Sequence, residues 1–171
     1  MRSAPATGDH RRYPGLRSFG LEPLERELFF GRQQETTDLV QHIIGNRLTV
    51  LYGKSGLGKT SLLQAGVFPE LRERGFLPLR IRLAGDQREP MALLRTELTA
   101  EIRRETELDP GVEMVTREGA DTWWELFKNA VFWQGTRVAI PCLVLDQFEE
   151  IFNLYSPAER EALAEQLSHL V

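Results

Sequence analysis

The chain has 171 residues, of which 42% are hydrophobic, 9% aromatic and 27% charged, and its formal net charge is −4. That length can bury roughly 70% of its unfolded surface, so a packed core needs no staples, and the negative balance excludes a global basic field that would recruit nucleic acid. The lone Cys142 excludes a disulfide framework or a cysteine zinc cluster, and His10, His42 and His169 lie too far apart for a metal-ligand spacing.

Residues 1–12 contain no apolar run, so they read as a flexible leader rather than a signal peptide, and 13–171 read as one domain. The most apolar internal stretch is broken by Pro141 and falls far short of the ~20 residues a membrane span needs. The expected location is therefore cytoplasmic, away from any membrane. Tyr13-Pro14-Gly15-Leu16-Arg17-Ser18-Phe19 carries a Pro-Gly turn, and residues 22–28 predict a short helix with Pro23 near its first turn. Phe29-Phe30-Gly31-Arg32 leads into a helix over about 33–44, with Leu39, Val40, Ile43 and Ile44 on one face and Gly45-Asn46 as its stop.

Leu48-Thr49-Val50-Leu51-Tyr52 predicts a buried strand ending at Gly53. A glycine-rich turn and a helix from about Lys59 to Phe68 follow, with Pro69 and Gly75 as punctuation. Leu79-Arg80-Ile81-Arg82-Leu83 alternates at period two, which predicts a strand with one wet face. A helix from about Pro90 carries Met91, Leu94, Leu98 and Ile102, and Asp109-Pro110-Gly111 breaks the chain. Thr122 with Glu125 forms a capping box for a helix bearing Trp123, Trp124, Leu126, Phe127, Val131 and Trp133. Val138 to Leu145 predicts a second fully apolar strand, ending on Asp146. Ser156-Pro157-Ala158-Glu159 caps a last helix with Leu163, Leu167 and Leu170. Strands alternating with helices imply an α/β fold whose sheet is mainly parallel and covered on both faces.

The chemistry concentrates in two places. Gly53-Lys54-Ser55-Gly56-Leu57-Gly58-Lys59-Thr60 fits G-x-x-x-x-G-K-[ST] at every fixed position. Its glycines let successive N–H groups line one concavity, and the loop feeds a helix N-terminus that favours phosphate. Lys59 is placed for the β- and γ-phosphates, the Thr60 hydroxyl for Mg²⁺, and Ser61 for a phosphate oxygen. The second place is the end of the apolar strand, Leu143-Val144-Leu145-Asp146-Gln147-Phe148-Glu149-Glu150. Asp146 is a candidate Mg²⁺ ligand there, and Glu149, ahead of Glu150, is the candidate to orient an attacking water.

Tyr13 to Phe19, Phe29 to Arg32, the glycine loop and Asp146-Gln147-Phe148-Glu149-Glu150-Ile151-Phe152 occur in that order. Together they resemble the bacterial novel STAND NTPases, signal-transduction ATPases with numerous domains. The resemblance covers most of the chain from Tyr13 to Phe152 and is weakest over 86–135. It implies a P-loop NTPase three-layer sandwich binding ATP or GTP with Mg²⁺, and a nucleotide-controlled switch. It also implies downstream winged-helix and repeat-sensor regions or a partner chain, a nucleotide-dependent oligomer, and roles in signalling or antiphage defence. By position, Phe30, Gly31 and Arg32 match a segment near the nucleotide base: an aromatic for the ring, a glycine for backbone approach, an arginine for an anion. The plainer reading has Phe29 and Phe30 stapling the first helix to the core, with Glu35 a solvated first-turn acid.

The tryptophan cluster reads as core rather than a base-stacking platform, and Cys142 as a buried small hydrophobe. Only three strands are legible. In the fold that the resemblance implies, a further strand lies between the glycine-loop strand and the Asp146 strand, so the sheet is expected to be incomplete at the C-terminal side. No arginine can be assigned as a finger from sequence, and slow hydrolysis is expected. The alternatives are a small-molecule or nucleotide kinase recruiting Arg103, Arg104 and Arg117, or a non-hydrolysing adaptor. Direct DNA binding is not expected.

Overall fold

The computed structural model describes residues 31–83, 90–116 and 119–171, with only the backbone of Pro90 and Met91. The leader, the Tyr13 to Phe19 turn, the 22–28 helix, Phe29, Phe30 and Arg117 lie outside the described residues. The chain clusters into two compact units: one runs to Gly45 and includes Thr49–Pro69, the other holds Asn46–Leu48 and Glu70–Val171.

The first unit contains α1 (Gln33–Gly45), the glycine loop and the start of a long helical run. Val40 is buried as predicted and Ile44 is exposed; the second buried position is Thr36. The helical run is α2 (Lys59–Ser61), a π-helical stretch (Leu62–Val67) and α3 (Phe68–Glu73). It passes through Pro69, where the sequence predicted a stop. A proline removes a donor and crowds the carbonyl four residues back; the wider π turn just before it relieves that crowding.

Gly66, in the π stretch, packs on α1. A Cβ there would sit 2.5 Å from Thr36 Oγ1 and 3.2 Å from Thr36 Cγ2. A Gly66→Ala variant should therefore lose about 1–3 kcal/mol despite the better helix former. Thr36→Ala in the same chain should recover most of that loss, and chemical denaturation of the four variants measures the coupling.

The strand predicted over Leu48 to Tyr52 does not form. Residues 46–54 carry no regular structure, and Val50 and Tyr52 are 72% and 88% exposed. A strand exists only by hydrogen bonding to a neighbour, and no described strand pairs with this segment.

The second unit is built on an open four-stranded sheet in the order β1 (Phe76–Arg82), β4 (Arg137–Asp146), β3 (Val131–Gln134), β2 (Val112–Val115). β1 and β4 are parallel, whereas β4, β3 and β2 are antiparallel. The sheet is thus mixed, not mainly parallel. The cause is that β3, whose Val131 and Trp133 the sequence reading places on a helix, forms a hairpin with the expected strand β4. The helix α5 (Trp123–Asn129) ends at Ala130, whose backbone is extended, and Val131 and Trp133 lie on β3. A two-residue connection, Gly135-Thr136, returns the chain, with Gly135 left-handed at φ 61°.

Pro141 explains where the antiparallel pairing stops. Ile140 donates its N–H to Gly75 O on the β1 side, so position 141 faces the other edge. With no N–H there, the ladder from β3 ends at Ala139. Beyond it, that edge of β4 has no partner among the described strands.

The core gathers on one face of the sheet. Leu77, Leu79 and Ile81 of β1 meet Leu93, Leu94 and Leu98 of α4 (Pro90–Leu108), along with Trp123, Phe132, Ile151 and Leu163. Leu163 belongs to α7 (Pro157–Ser168), which follows the short α6 (Ile151–Leu154). The paired acid Glu105 is buried in a fork-to-fork bond with Arg72, at 2.7 and 3.1 Å.

Both predicted capping boxes form, Thr122 with Glu125 and Ser156 with Glu159. The Asp121 N–H on Glu125 and the Ser156 side chain on Glu159 hold both carboxyls below the usual glutamate range. Groups depressed in the folded state stabilise above the unfolded pKa and lose that contribution as pH falls through the folded one. Ser156→Ala should thus cost about 1 kcal/mol at neutral pH and progressively less in acid, read from melting curves across pH.

Candidate functional site

The glycine loop is a local constellation within the first unit. Gly56 and Gly58 are left-handed, at φ 82° and 71°, a conformation that a side chain would oppose. The loop closes with the Leu57 N–H on Lys54 O, and the helix begins with the Leu62 N–H on Gly58 O. Lys59 folds back so that its Nζ donates to Gly53 O at 2.7 Å and to Lys54 O at 3.2 Å. Its ammonium thus spans the loop mouth, on carbonyls rather than on a carboxylate. Residues 53–57 are exposed, and Lys59, Thr60 and Ser61 are half-buried.

Arg32 reaches this loop from the start of α1. Its Nη1 donates to Leu57 O at 3.0 Å and to Gly58 O at 3.4 Å. Its Nε and Nη2 hold Glu35 at 2.5 and 3.2 Å. The bond to Arg32 keeps the Glu35 carboxyl below its ordinary range. Glu35, read from the sequence as a solvated acid, is thus the counter-ion of the arginine that braces the loop. Their three-residue spacing on a helix was the available signal. Gly31 is left-handed at φ 83° and has open space around it, so the turn into α1 requires it.

The acid turn is a second constellation, in the second unit. Asp146 ends β4 in register with Arg82 of β1, and Val144 is in register with Arg80. Alternation puts Arg80, Arg82 and Asp146 on the sheet face opposite the core. Arg80 Nε lies 3.7 Å from Asp146 Oδ2. Gln147 follows in the left-handed region at φ 54°, then a 3₁₀ turn (Phe148–Glu150). Arg82 grips Glu150 with Nη2–Oε1 at 2.7 Å and Nε–Oε2 at 3.3 Å. Glu149 is exposed and makes no ion pair among the described residues. The sequence reading missed the two arginines, since their alternation signalled only a wet face.

The fit to nucleotide and Mg²⁺ rests on this donor set. Among the described residues no group of three or more His, Cys, Asp or Glu side chains gathers to hold an ion alone. Each unit by itself offers one hard oxygen donor of the kind such a cation takes, the Thr60 hydroxyl in the first and the Asp146 carboxylate in the second. Trp123 is fully buried, as read for core, while Trp124 is exposed beneath Lys128 Nζ, 4.1 Å from the ring centre. Burial pushes the Cys142 thiol up to about 11, so it stays protonated at neutral pH. No described helix is long and apolar enough to cross a membrane.

No curated protein and no solved structure gives a significant match to the chain. A family model, Novel STAND NTPase 1, matches residues 13–171, a span that takes in both the glycine loop and the acid turn. The chain belongs to the Novel STAND NTPase 1 family.

Proposed function

We propose that the chain is a nucleotide-binding switch module that takes ATP or GTP with Mg²⁺ and hydrolyses it slowly. The observation that carries this is the glycine loop: two left-handed glycines, a helix starting at Lys59, and a lysine ammonium resting on the loop's own carbonyls. Among the described residues that ammonium has no carboxylate to leave, and it would exchange carbonyl contacts for a stronger phosphate anion. Backbone N–H groups from Ser55 to Thr60 hold the phosphates, and Lys59 bridges the outer two. Thr60 would be the loop's ligand to the metal, Asp146 would be the acid turn's, and Glu149 would orient a water. Bound Mg²⁺ supplies charge neutralisation at the transferred phosphate.

In a STAND-type signalling protein the triphosphate and diphosphate forms favour different arrangements of the chain and its partners. Winged-helix and repeat-sensor regions are the partners such a module controls. Titration calorimetry with ATP, GTP and ADP, each with and without Mg²⁺, tests the reading. Saturable binding of one triphosphate, strengthened by Mg²⁺, is expected. Heat for none of them would overturn it, and turnover of several per second would overturn the slow-hydrolysis part.

A further inference from the structure

The residue after the candidate metal ligand stands in an unfavourable backbone conformation. Gln147 at φ 54° is the only described non-glycine residue with a positive φ. Such a residue persists only where its surroundings over-determine it. Two ion pairs bracket it, and both come from one strand. On the near side Arg80 holds Asp146, and on the far side Arg82 holds both oxygens of Glu150. The Glu150 N–H closes the turn on Gln147 O at 2.9 Å, and buried Ile151 anchors the chain just beyond. Glu149 projects from the middle of this bracket.

We propose that Arg82, through Glu150, is a positioning residue that locks the left-handed turn at Gln147 and so fixes where Glu149 is presented. The two glutamates then divide the work: Glu150 is the anchor and Glu149 the group free to meet water. The parallel register explains the choice of arginine. Arg82 pairs with Asp146, so its side chain has one short turn to cross, and its planar fork matches a carboxylate at two points. An exposed ion pair of this kind adds little stability, so its expected consequence is geometric. The proposal rests on the NTPase reading for its catalytic consequence, while the brace itself does not depend on it.

The test uses the full chain with Arg82→Ala, Arg82→Lys, Gln147→Gly and the Arg82→Ala/Gln147→Gly pair. Amide hydrogen exchange over residues 147–151 is measured alongside steady-state hydrolysis. Arg82→Ala should speed exchange in the turn by up to about fivefold and lower kcat roughly tenfold, with KM for the nucleotide unchanged. Lysine should restore little, since an ammonium cannot make the two-point contact. Glycine at 147 removes the strain, so it should recover exchange protection and much of kcat in the Arg82→Ala background. Unchanged exchange in Arg82→Ala, increased turnover, or no recovery with glycine would each overturn the proposal. A parent chain that hydrolyses nothing would refute the NTPase reading, while the exchange data would still decide the brace.

Discussion

Lys59→Ala is expected to weaken triphosphate binding by roughly 10- to 150-fold. A hydrogen bond to a charged group contributes about 1.5–3 kcal/mol, and Lys59 supplies the loop's central cation. The same change should leave folding intact. Lys59 is half-buried, its contacts are two backbone carbonyls, and alanine is the better helix former at the first position of α2. A fluorescent-nucleotide titration with a parallel melting curve separates the two effects. Weakened binding with an unaltered ligand-free melt is the expected pair. Affinity equal to the parent's would remove the glycine loop from the site.

The second large effect is expected at the acid turn. Glu149→Gln should lower hydrolysis about 10²- to 10⁴-fold, the range for loss of a general base, while binding persists. Glu150→Gln should act more weakly, because it only loosens the grip of Arg82, whose guanidinium pKa that carboxylate raises. Asp146→Asn should weaken the Mg²⁺ dependence of binding. Single-turnover measurements with labelled triphosphate distinguish the three. A Glu149→Gln chain that turns over like the parent would assign the water-orienting role elsewhere.

The two constellations differ in how much of them the sequence reveals. The glycine loop is legible because all its determinants are local: glycines for positive φ, a lysine and a threonine at the helix start. Asp146 is legible because an apolar run ending in an acid already says strand end. The arginine bracket is not legible, because it depends on which residues of β1 stand beside which residues of β4. Pairing Arg82 with Asp146 is a property of register, 64 positions apart in sequence.

The fold divides in the same way. The helices with capping boxes start where the sequence places them, since Thr122 and Ser156 satisfy backbone donors within three residues. β3 reads as helix from sequence because Trp123, Trp124, Phe127 and Val131 happen to fit helical spacing, whereas β4 is legible as a strand. Gly135, left-handed between two β-rich stretches, was the overlooked signal. The 48–52 segment fails for a different reason. Its composition is that of a buried strand, but composition cannot supply the neighbour that a strand requires.

The central claim, that these 171 residues carry a working nucleotide site, is tested most directly by thermal unfolding with Mg²⁺ and saturating ATP or GTP. A ligand at a hundredfold its Kd adds about 2.7 kcal/mol to the native state, a rise of roughly 5–10 °C for a chain of this size. Such a rise with one triphosphate, abolished in Lys59→Ala, is the predicted result. A cooperative melt that no nucleotide moves would contradict it.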